Sequence, residues 1–364
     1  MKDCIGIINL DERDSDLSIV TSNNIVSAMP IAGRYKIIDF VLSNLTNSGV
    51  GCIGIFTKKK SYSLLKHLSN GRPWDLHRKK DGLRVFNYSN YNPSYDDIHS
   101  FIENLEFIKL SRKEYIIIAP SYMICNIDYN EILNKHKKSS NDITAIYKKV
   151  NLNDKFFFNE KLIISDNNIV KEIKNISSIS DREHEVNVNM EMYIMKSSLF
   201  INIVRECVMS GLYRKVNGYI KDNLNKLNVG AFEFKGYLSC INSINSYFNA
   251  NKDLLNMDIS RELFYSNRPI FTKQKDEAPV FYSKRSKITN SIIANGSYVE
   301  GNLENCILGR KVIIEEGALV KDSILMDNAK VGKGCIISNA IITSKSILKD
   351  GEFIGEENDK ITII

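Results

Sequence analysis

Apolar residues recur at every sixth position, in two rows, along the stretch Ile307–Ile354, ILGRKVIIEEGALVKDSILMDNAKVGKGCIISNAIITSKSILKDGEFI. One row is Ile307, Ile313, Leu319, Leu325, Val331 and Ile337, and the other is Val312, Ala318, Ile324, Ile336, Ile342, Leu348 and Ile354, interrupted by Lys330. Six residues turn an α-helix by about 600°, so a helix would not keep such a row on one face. A triangular β-helix does, because each six-residue side sends one apolar side chain inward. The pattern predicts a β-helix of hexapeptide repeats that serves as scaffold and oligomer interface.

The chain before this repeat follows a different pattern, in which short apolar runs alternate with amphipathic stretches. Such runs are typical of buried parallel strands, and the stretches between them fit helices. The predicted strands are Cys4–Leu10, Cys52–Thr57, Glu114–Ala119 and Asp142–Lys149, and the predicted helices include Ile37–Ser48 and Ser61–Ser69. The alternation predicts an α/β domain with a mainly parallel sheet over residues 1–260, a linker at 261–280 and the β-helix at 281–364.

Composition and charge exclude several other classes of protein. The 364 residues are 43% hydrophobic and 25% charged, which allows two globular cores. The net charge of +6 fits either a solvated lysine-rich surface or binding of phosphorylated metabolites, and no basic helix interleaved with aromatic residues suggests nucleic acid as a partner. No window holds the roughly 18 apolar residues of a membrane span, and the seven cysteines include no CxxC pair. We therefore expect a cytoplasmic protein with no membrane partner.

The segment Ala28–Gly49, AMPIAGRYKIIDFVLSNLTNSG, places charged and polar residues beside a predicted helix. Gly33 precedes a basic pair, Arg34 and Lys36, which could face a phosphate. Asp39 stands early in the helix, where a carboxylate suits the positive end of the helix dipole. A polar stripe follows at helical spacing and is by itself more typical of capping and packing than of a ligand site. Its members are Ser43, Asn44, Asn47 and Ser48.

Together with its surroundings, this segment resembles one protein family over nearly the whole chain. The matching segments are Gly33–Gly49 with the strand ending at Thr57, Ser63–Leu83 (SLLKHLSNGRPWDLHRKKDGL), Cys125–Tyr129 (CNIDY), Gly236–Leu255 (GYLSCINSINSYFNANKDLL) and Arg268–Thr272 (RPIFT). They resemble bacterial glucose-1-phosphate adenylyltransferase, also called ADP-glucose pyrophosphorylase. The resemblance implies a nucleotide-diphospho-sugar transferase-like, Rossmann-like N-terminal domain and a C-terminal left-handed β-helix.

Members of this family join glucose 1-phosphate to ATP and release diphosphate, which requires backbone amides, cations and Mg²⁺ around the phosphates. The resemblance implies a glycine-rich turn of the type GGxGTRL after the first strand. This chain has INLDERDSDLS at Ile8–Ser18, which contains no glycine. Asp11, Glu12, Asp14 and Asp16 would bring four acidic side chains to the place of a triphosphate. We therefore predict that this segment does not hold one.

At three further positions, this chain lacks the functional group that the resemblance implies. Val26 stands where the resemblance implies the lysine of a KP pair, and Tyr122 and Cys240 stand where it implies the two carboxylates that hold Mg²⁺. Neither side chain offers the carboxylate oxygen that Mg²⁺ prefers. The prediction is that the chain has no catalytic residue and binds no cofactor, with Mg²⁺ held only by a catalytic partner. Asp128 matches a later family position and is not assigned as a ligand.

The resemblance also implies a site for a phosphorylated effector, to which Arg34, Lys36 and Thr57 are assigned. Pro30 stands where the family's effector motif can carry a histidine, so the site would be altered. The alternative is that Arg34 and Lys36 pair with acidic residues for structure alone. Trp74, the one tryptophan, is interpreted as a packing anchor, with a sugar contact as the alternative.

The resemblance is strongest to the GlgD-type regulatory, non-catalytic subunit, which works beside a catalytic subunit of ADP-glucose pyrophosphorylase. The predicted function is regulatory, in a hetero-oligomer of glycogen biosynthesis that we expect to be a tetramer assembled through the β-helix. The alternatives are an active sugar-1-phosphate nucleotidyltransferase with an atypical site and a free-standing sugar-phosphate sensor. A hexapeptide acyltransferase is disfavoured, because such enzymes use a histidine as general base beside the β-helix and all five histidines here precede it. They are His67, His77, His99, His136 and His184.

Overall fold

The computed structural model describes residues 1–10, 17–21, 25–57, 62–87, 97–151, 160–175, 185–355 and 360–364. These residues form two compact units. The first unit holds the described residues of 1–13, 40–240 and 267–271, and the second holds those of 14–39, 241–266 and 272–364. The domain boundaries stated from the sequence stay a prediction, because proximity between residues does not show which parts fold independently.

The described elements follow one another along the chain in two groups. Up to residue 264 they are β1 (Cys4–Asn9), α1 (Ser18–Thr21), β2 (Pro30–Ile31), β3 (Tyr35–Lys36), α2 (Ile38–Asn47), β4 (Cys52–Thr57), α3 (Tyr62–Leu68), β5 (Gly82–Asn87), α4 (Asp97–Glu103), α5 (Leu105–Ser111), β6 (Tyr115–Pro120), β7 (Met123–Ile124), α6 (Tyr129–Lys138), β8 (Ile143–Asn151), β9 (Glu160–Ile164), β10 (Val170–Asn175), β11 (Glu185–Lys196), α7 (Ser197–Ser210), α8 (Val216–Asp222), β12 (Val229–Glu233), β13 (Ser239–Cys240), α9 (Ile244–Asp253) and α10 (Met257–Phe264). Then come β14 (Phe281–Tyr282), β15 (Ile288–Thr289), β16 (Ile292–Ile293), β17 (Tyr298–Val299), β18 (Asn302–Glu304), β19 (Ile307–Leu308), β20 (Ile313–Ile314), β21 (Leu319–Lys321), β22 (Ile324–Leu325), β23 (Lys330–Val331), β24 (Ile336–Ser338), β25 (Ala340–Ile342), β26 (Ile347–Leu348), β27 (Phe353–Ile354) and β28 (Thr362–Ile363).

The first unit is built on a nine-stranded sheet with the order β10-β9-β11-β6-β1-β4-β5, in which β8 pairs with both β11 and β12. The strands β6, β1, β4 and β5 run parallel, and β11 joins β6 in the antiparallel sense. The apolar runs of β1, β4 and β6 are buried along nearly their whole length, as strands covered on both faces must be. The predicted α/β fold with a mainly parallel core is confirmed.

The second unit contains a parallel β-helix made of three five-stranded sheets. The sheet orders are β14-β17-β20-β23-β26, β15-β18-β21-β24-β27 and β16-β19-β22-β25-β28, and every pair is parallel. Apolar side chains from all three sheets fill its centre. The predicted hexapeptide β-helix is therefore confirmed. No helix among the described residues is long and apolar enough to cross a membrane.

The strict six-residue spacing predicted for the inward row is wrong in detail. Strand partners such as Ile313 and Lys330 lie 17 residues apart, so a coil cannot have three sides of six. Among the core residues, one per side forms the series Leu308, Ile314, Val320, Leu325, Val331, Ile337, Ile342, Leu348 and Ile354, which gives sides of six, six and five residues. Leu319 and Ile336 therefore fall outside the core and are 46% and 45% exposed.

Candidate functional site

The polar stripe of α2 fixes the segment that carries the CNIDY motif. Asn44, which is 2% exposed, donates from Nδ2 to the carbonyl of Cys125 at 3.0 Å and accepts at Oδ1 from the N–H of Ile127 at 3.2 Å. Ser48 Oγ accepts from the N–H of Tyr129 at 3.0 Å. One helix face thus holds a distant segment by its backbone.

The same helix holds the segment with the RPIFT motif. Ser43 Oγ accepts from the N–H of Phe271 at 2.8 Å, and Asn47 Nδ2 donates to the carbonyl of Pro269 at 2.9 Å. The interpretation of the stripe as a packing surface agrees with these bonds. The stripe brings together the motif segments on which the family resemblance rests.

Asp128 has two structural tasks in this arrangement. Its Oδ1 accepts from the N–H of Asn130 at 2.9 Å and caps α6, while its Oδ2 lies 3.0 Å from Nη1 of Arg268. Arg268 also donates from Nη2 to the carbonyl of Asn126 at 3.1 Å. The Asp128 carboxylate caps a helix and pairs with Arg268, which agrees with the decision not to assign it as a metal ligand.

The carboxyl ends of the parallel strands are the place where open α/β sheets bind ligands. Here β1 ends at Asn9, β4 at Thr57 and β6 at Pro120. Thr57 is 2% exposed. The acidic residues Asp11, Glu12, Asp14 and Asp16, which follow β1 in the sequence, lie outside the described residues.

Tyr122 and Cys240, the positions implied for the metal carboxylates, are brought together just beyond this edge. Strand β13 pairs antiparallel with β7, so that Cys240 stands opposite Met123, the neighbour of Tyr122. Cys240 is 3% exposed and Tyr122 is half-buried. A phenol and a buried thiol do not fit Mg²⁺, which takes carboxylate, carbonyl and water oxygens. Among the residues that the structure describes, no group of three or more His, Cys, Asp or Glu could hold a metal ion.

Val26 lies in the second unit, at the start of the short 3-10 turn Val26–Ala28. Its side chain is 1% exposed and packs as a core residue. A buried isopropyl group supplies no charge to a phosphate. The position assigned to the family's lysine is therefore apolar in structure as well as in sequence.

The strands β2 and β3 form a hairpin that carries Arg34 and Lys36, and its turn fits closely against the β-helix. Gly33 adopts φ +74°, and a Cβ atom there would lie 2.6 Å from the carbonyl oxygen of Leu308. Only glycine combines this backbone conformation with this approach. The hairpin's glycine is thus required by packing within the second unit.

Helix α9 fixes the hairpin from another side. Asn251, which has no exposed surface, accepts at Oδ1 from the N–H of Ala32 at 3.1 Å and donates from Nδ2 to the carbonyl of Tyr247 at 3.0 Å. Tyr247 Oη in turn donates to the carbonyl of Pro30 at 2.6 Å. The motif segment Gly236–Leu255 therefore contributes to the site by holding the hairpin in place.

The two basic side chains of the hairpin differ in environment. Arg34 is exposed, and its Nη2 donates to Tyr35 Oη at 2.9 Å. Burial lowers the pKa of the Lys36 ammonium from 10.5 to about 8, with Lys275 adding to this and the carboxylates of Asp39 and Asp327 opposing it. A partly desolvated ammonium gains more from an added anion than a solvated one does.

Thr57, assigned to the same effector site, belongs to the first unit, whereas Arg34 and Lys36 belong to the second. Trp74 is 1% exposed and makes an edge contact with the ring of His67 at 5.7 Å between centroids. A ring buried to this extent fits a packing anchor and presents no face to a sugar.

Sequence reasoning missed a group of ion pairs on the β-helix. Arg310 pairs with Glu277 at 2.7 Å, and Lys275 lies 3.7 Å from Asp327. The members of each pair are far apart in the chain and belong to no motif, so the sequence carried no signal for them.

The fold and these motif contacts define a class of protein, which comparison with known families identifies. The family described as nucleotidyl transferase matches residues 16–256, and the family described as GlmU-like, C-terminal hexapeptide matches residues 278–361. The chain therefore belongs to the nucleotidyl transferase family, as a member with a left-handed hexapeptide β-helix, and within it to the glucose-1-phosphate adenylyltransferase group with a GlgD-like sequence.

Individual relatives show this kinship. The glycogen biosynthesis protein GlgD of Geobacillus stearothermophilus is 32% identical over 326 residues, covering 87% of this chain and 82% of that protein. GlgD of Bacillus subtilis (strain 168) is 29% identical over 320 residues with the same coverage. A glucose-1-phosphate adenylyltransferase of Bacillus cereus (strain ATCC 14579) is 28% identical over 365 residues, covering 98% and 96%. The chain is thus related to proteins of glycogen biosynthesis.

Proposed function

We propose that this chain is a regulatory, non-catalytic subunit of glucose-1-phosphate adenylyltransferase. It supports a catalytic partner that makes ADP-glucose and diphosphate from ATP and glucose 1-phosphate. The observation that carries the proposal is the register of the β7–β13 pair, which places Cys240 opposite Met123, the neighbour of Tyr122, so that neither position implied for a metal carboxylate carries one.

The chemistry of the reaction explains why these replacements matter. Transfer to the α-phosphate depends on positioning and on neutralising the charge of the phosphates. Val26, Tyr122 and Cys240 supply neither a cation nor a metal-binding carboxylate at the three positions. We therefore propose that Mg²⁺ is held by the catalytic partner and that this chain binds no cofactor.

A hetero-oligomer, which we expect to be a tetramer, is supported by the outer surface of the β-helix. Leu319, Ile336 and Phe353 are neighbours across β21, β24 and β27 and point outward, with 46%, 45% and 69% exposure. An exposed apolar row of this kind on a soluble fold is typical of a contact between subunits. It supports assembly through the β-helix with the catalytic subunit.

A phosphorylated metabolite is the proposed effector, with Arg34 and Lys36 of the second unit as its contacts, while Thr57 stays a prediction from the resemblance. The lowered pKa of Lys36 supports this assignment, because an anion would relieve the desolvation of that ammonium. Replacing both Arg34 and Lys36 by Ala is expected to remove the effector response of the reconstituted complex. An unchanged response would show that Arg34 and Lys36 do not bind the effector.

The decisive experiment compares the purified chain alone with the chain co-expressed beside a catalytic homologue. With ATP, glucose 1-phosphate and Mg²⁺, the chain alone should release no diphosphate, and the co-purified complex should be active and respond to effectors. Clear turnover by the chain alone would instead establish an active nucleotidyltransferase with an atypical site. Failure to co-purify, together with sugar-phosphate binding, would indicate a free-standing sensor.

A further inference from the structure

Residues 272–280 form neither helix nor strand, and they are attached to the β-helix at defined points. We call this segment the strap. Glu277 and Lys275 of the strap make ion pairs with the coil residues Arg310 and Asp327. The carbonyl of Ala278 accepts from the N–H of Gly296 at 2.7 Å.

The Glu277 carboxylate lies between two cations of the β-helix. Its Oε2 lies 2.7 Å from Nη1 of Arg310, and its Oε1 lies 3.8 Å from Nζ of Lys311. The side chains of Glu277 and Arg310 are each 7% exposed, whereas that of Lys311 is 58% exposed. A buried guanidinium and a solvent-facing ammonium thus share one carboxylate.

The guanidinium of Arg310 has more hydrogen-bonding capacity than Glu277 uses. It carries five N–H donors, and pairs of arginine with carboxylate are often bidentate. Among the described residues, Glu277 is its one hydrogen-bond acceptor, reached through Nη1 alone. The Arg310 side chain is 7% exposed and, in the described part of the chain, none of its nitrogen atoms is both fully buried and without a partner, so the remaining donors are open to solvent. The remaining donors suit an anion with more acceptor oxygens.

The position of Arg310 is set independently of Glu277. Its backbone N–H donates to Asp327 Oδ1 at 2.9 Å, and its neighbours belong to the regular coil between β19 and β20. Asp327 also lies 3.7 Å from Lys275 Nζ. Arg310 would therefore keep its place if the Glu277 carboxylate moved away.

We propose that Arg310 and Lys311 form a binding site for a phosphate group, and that Glu277 is the internal competitor that fills it. A phosphate has more acceptor oxygens and more negative charge than a carboxylate, so it can replace Glu277 at the guanidinium. Replacement releases the strap from the coil. The proposal holds whether or not the chain is catalytic, and it concerns residues other than Arg34 and Lys36.

The test is titration of the full-length chain with inorganic phosphate, at constant ionic strength balanced by chloride, followed by calorimetry. Glu277→Gln should bind phosphate at least tenfold more tightly than the unchanged chain, because the competing charge is gone. Glu316→Gln is the matched control, since Glu316 pairs with Arg285 at 3.1 Å on the exposed surface of the same unit. That variant should leave phosphate affinity unchanged.

The double variant Glu277→Gln/Arg310→Gln should lose the gain in affinity. If Glu277→Gln binds no more tightly than the unchanged chain, or the double variant retains the gain, the pair is a structural ion pair and the proposal fails.

A second measurement needs no variant and covers the case in which loss of Glu277 unfolds the protein. Hydrogen exchange in peptides that span the strap is compared in inorganic phosphate and in chloride. Phosphate should speed exchange in the strap, and an Arg34→Gln/Lys36→Gln variant should respond equally. Unchanged or slower exchange overturns the proposal, whereas loss of the response in that variant would assign the effect to the hairpin instead.

Discussion

Two small antiparallel strand pairs of this protein, β7–β13 and the β2–β3 hairpin, have the same secondary structure and opposite chemical character. The first places Cys240 opposite Met123, the neighbour of Tyr122, and neither Cys240 nor Tyr122 carries a carboxylate. The second presents Arg34 and Lys36 on a turn that is fixed by buried hydrogen bonds. Both strand pairs are formed, but only the hairpin carries charged side chains at the positions assigned from the resemblance. The proposed regulatory, non-catalytic role rests on this difference.

The largest effect is expected from adding one methyl group at the hairpin turn. Gly33→Ala places a Cβ 2.6 Å from the carbonyl oxygen of Leu308, at φ +74°. We expect the free energy of unfolding to fall by about 3 kcal/mol, as strain and a clash act together. Urea unfolding followed by circular dichroism measures this. Gly334→Ala is the control, since φ is +65° with nothing within 4 Å, and it should lose only about 1 kcal/mol.

The buried amides of Asn44 and Asn251 allow the two units to be separated. Each bridges two backbone groups, so replacing either by Ala should lower stability by about 2 kcal/mol. Trp74, the one tryptophan, lies in the first unit, so its fluorescence reports unfolding there. We predict that the two units unfold separately, so Asn44→Ala should shift the fluorescence transition, whereas Asn251→Ala should shift the circular dichroism transition and leave the fluorescence transition unchanged.

The Asn251→Ala variant should also weaken the effector response, whereas Asn44→Ala should leave it intact. Equal weakening by both variants would show that the hairpin has no special part in regulation.

The pKa of Lys36 predicts a pH dependence of effector binding. With a pKa of about 8, the ammonium is charged at pH 7 and mostly neutral at pH 9. Affinity for a phosphorylated effector should therefore fall by up to about tenfold between these pH values. Lys36→Arg stays charged and should bind equally at both. Binding by the unchanged chain that is flat from pH 7 to 9 would exclude Lys36 from the site.

A smaller pH effect, in the opposite direction, is expected in the first unit, where stability should fall as the pH falls. His136 is 5% exposed, with Nδ1 2.8 Å from Thr144 Oγ1, and burial together with Lys196 lowers its pKa below 6.5 while Asp142 opposes the shift. The unfolded chain then binds a proton that the folded chain does not, so stability falls as the pH drops below about 6.5.

Urea midpoints from Trp74 fluorescence at pH 7.5 and 5.5 test this. The drop should shrink in His136→Gln, while replacement of the exposed His77 in the same way should not change it. A drop of the same size in both variants would assign the acid response to other groups.

Much of the fold followed from local patterns. Apolar runs on both faces predicted β1, β4 and β6, because strands between two layers must be apolar throughout. The β-helix followed from its repeat, but the inward phase did not, since every third side between Leu308 and Ile354 has five residues. Leu319 fits the predicted row and still points outward, because it lies next to the inward Val320 and the side from Val320 to the inward Leu325 has five residues.

The candidate site divides in the same way. Residue identity at Val26, Tyr122 and Cys240 was enough to state which functional groups are missing, because the residue type alone decides which functional group a side chain carries. The sequence alone also determined the class of fold, through the burial pattern and the repeat. Only the tertiary structure placed Cys240 opposite Met123, joined Arg310 to Glu277 and desolvated Lys36. Those features depend on distances between residues far apart in the chain and on the exclusion of water, which are properties of packing and have no local signature.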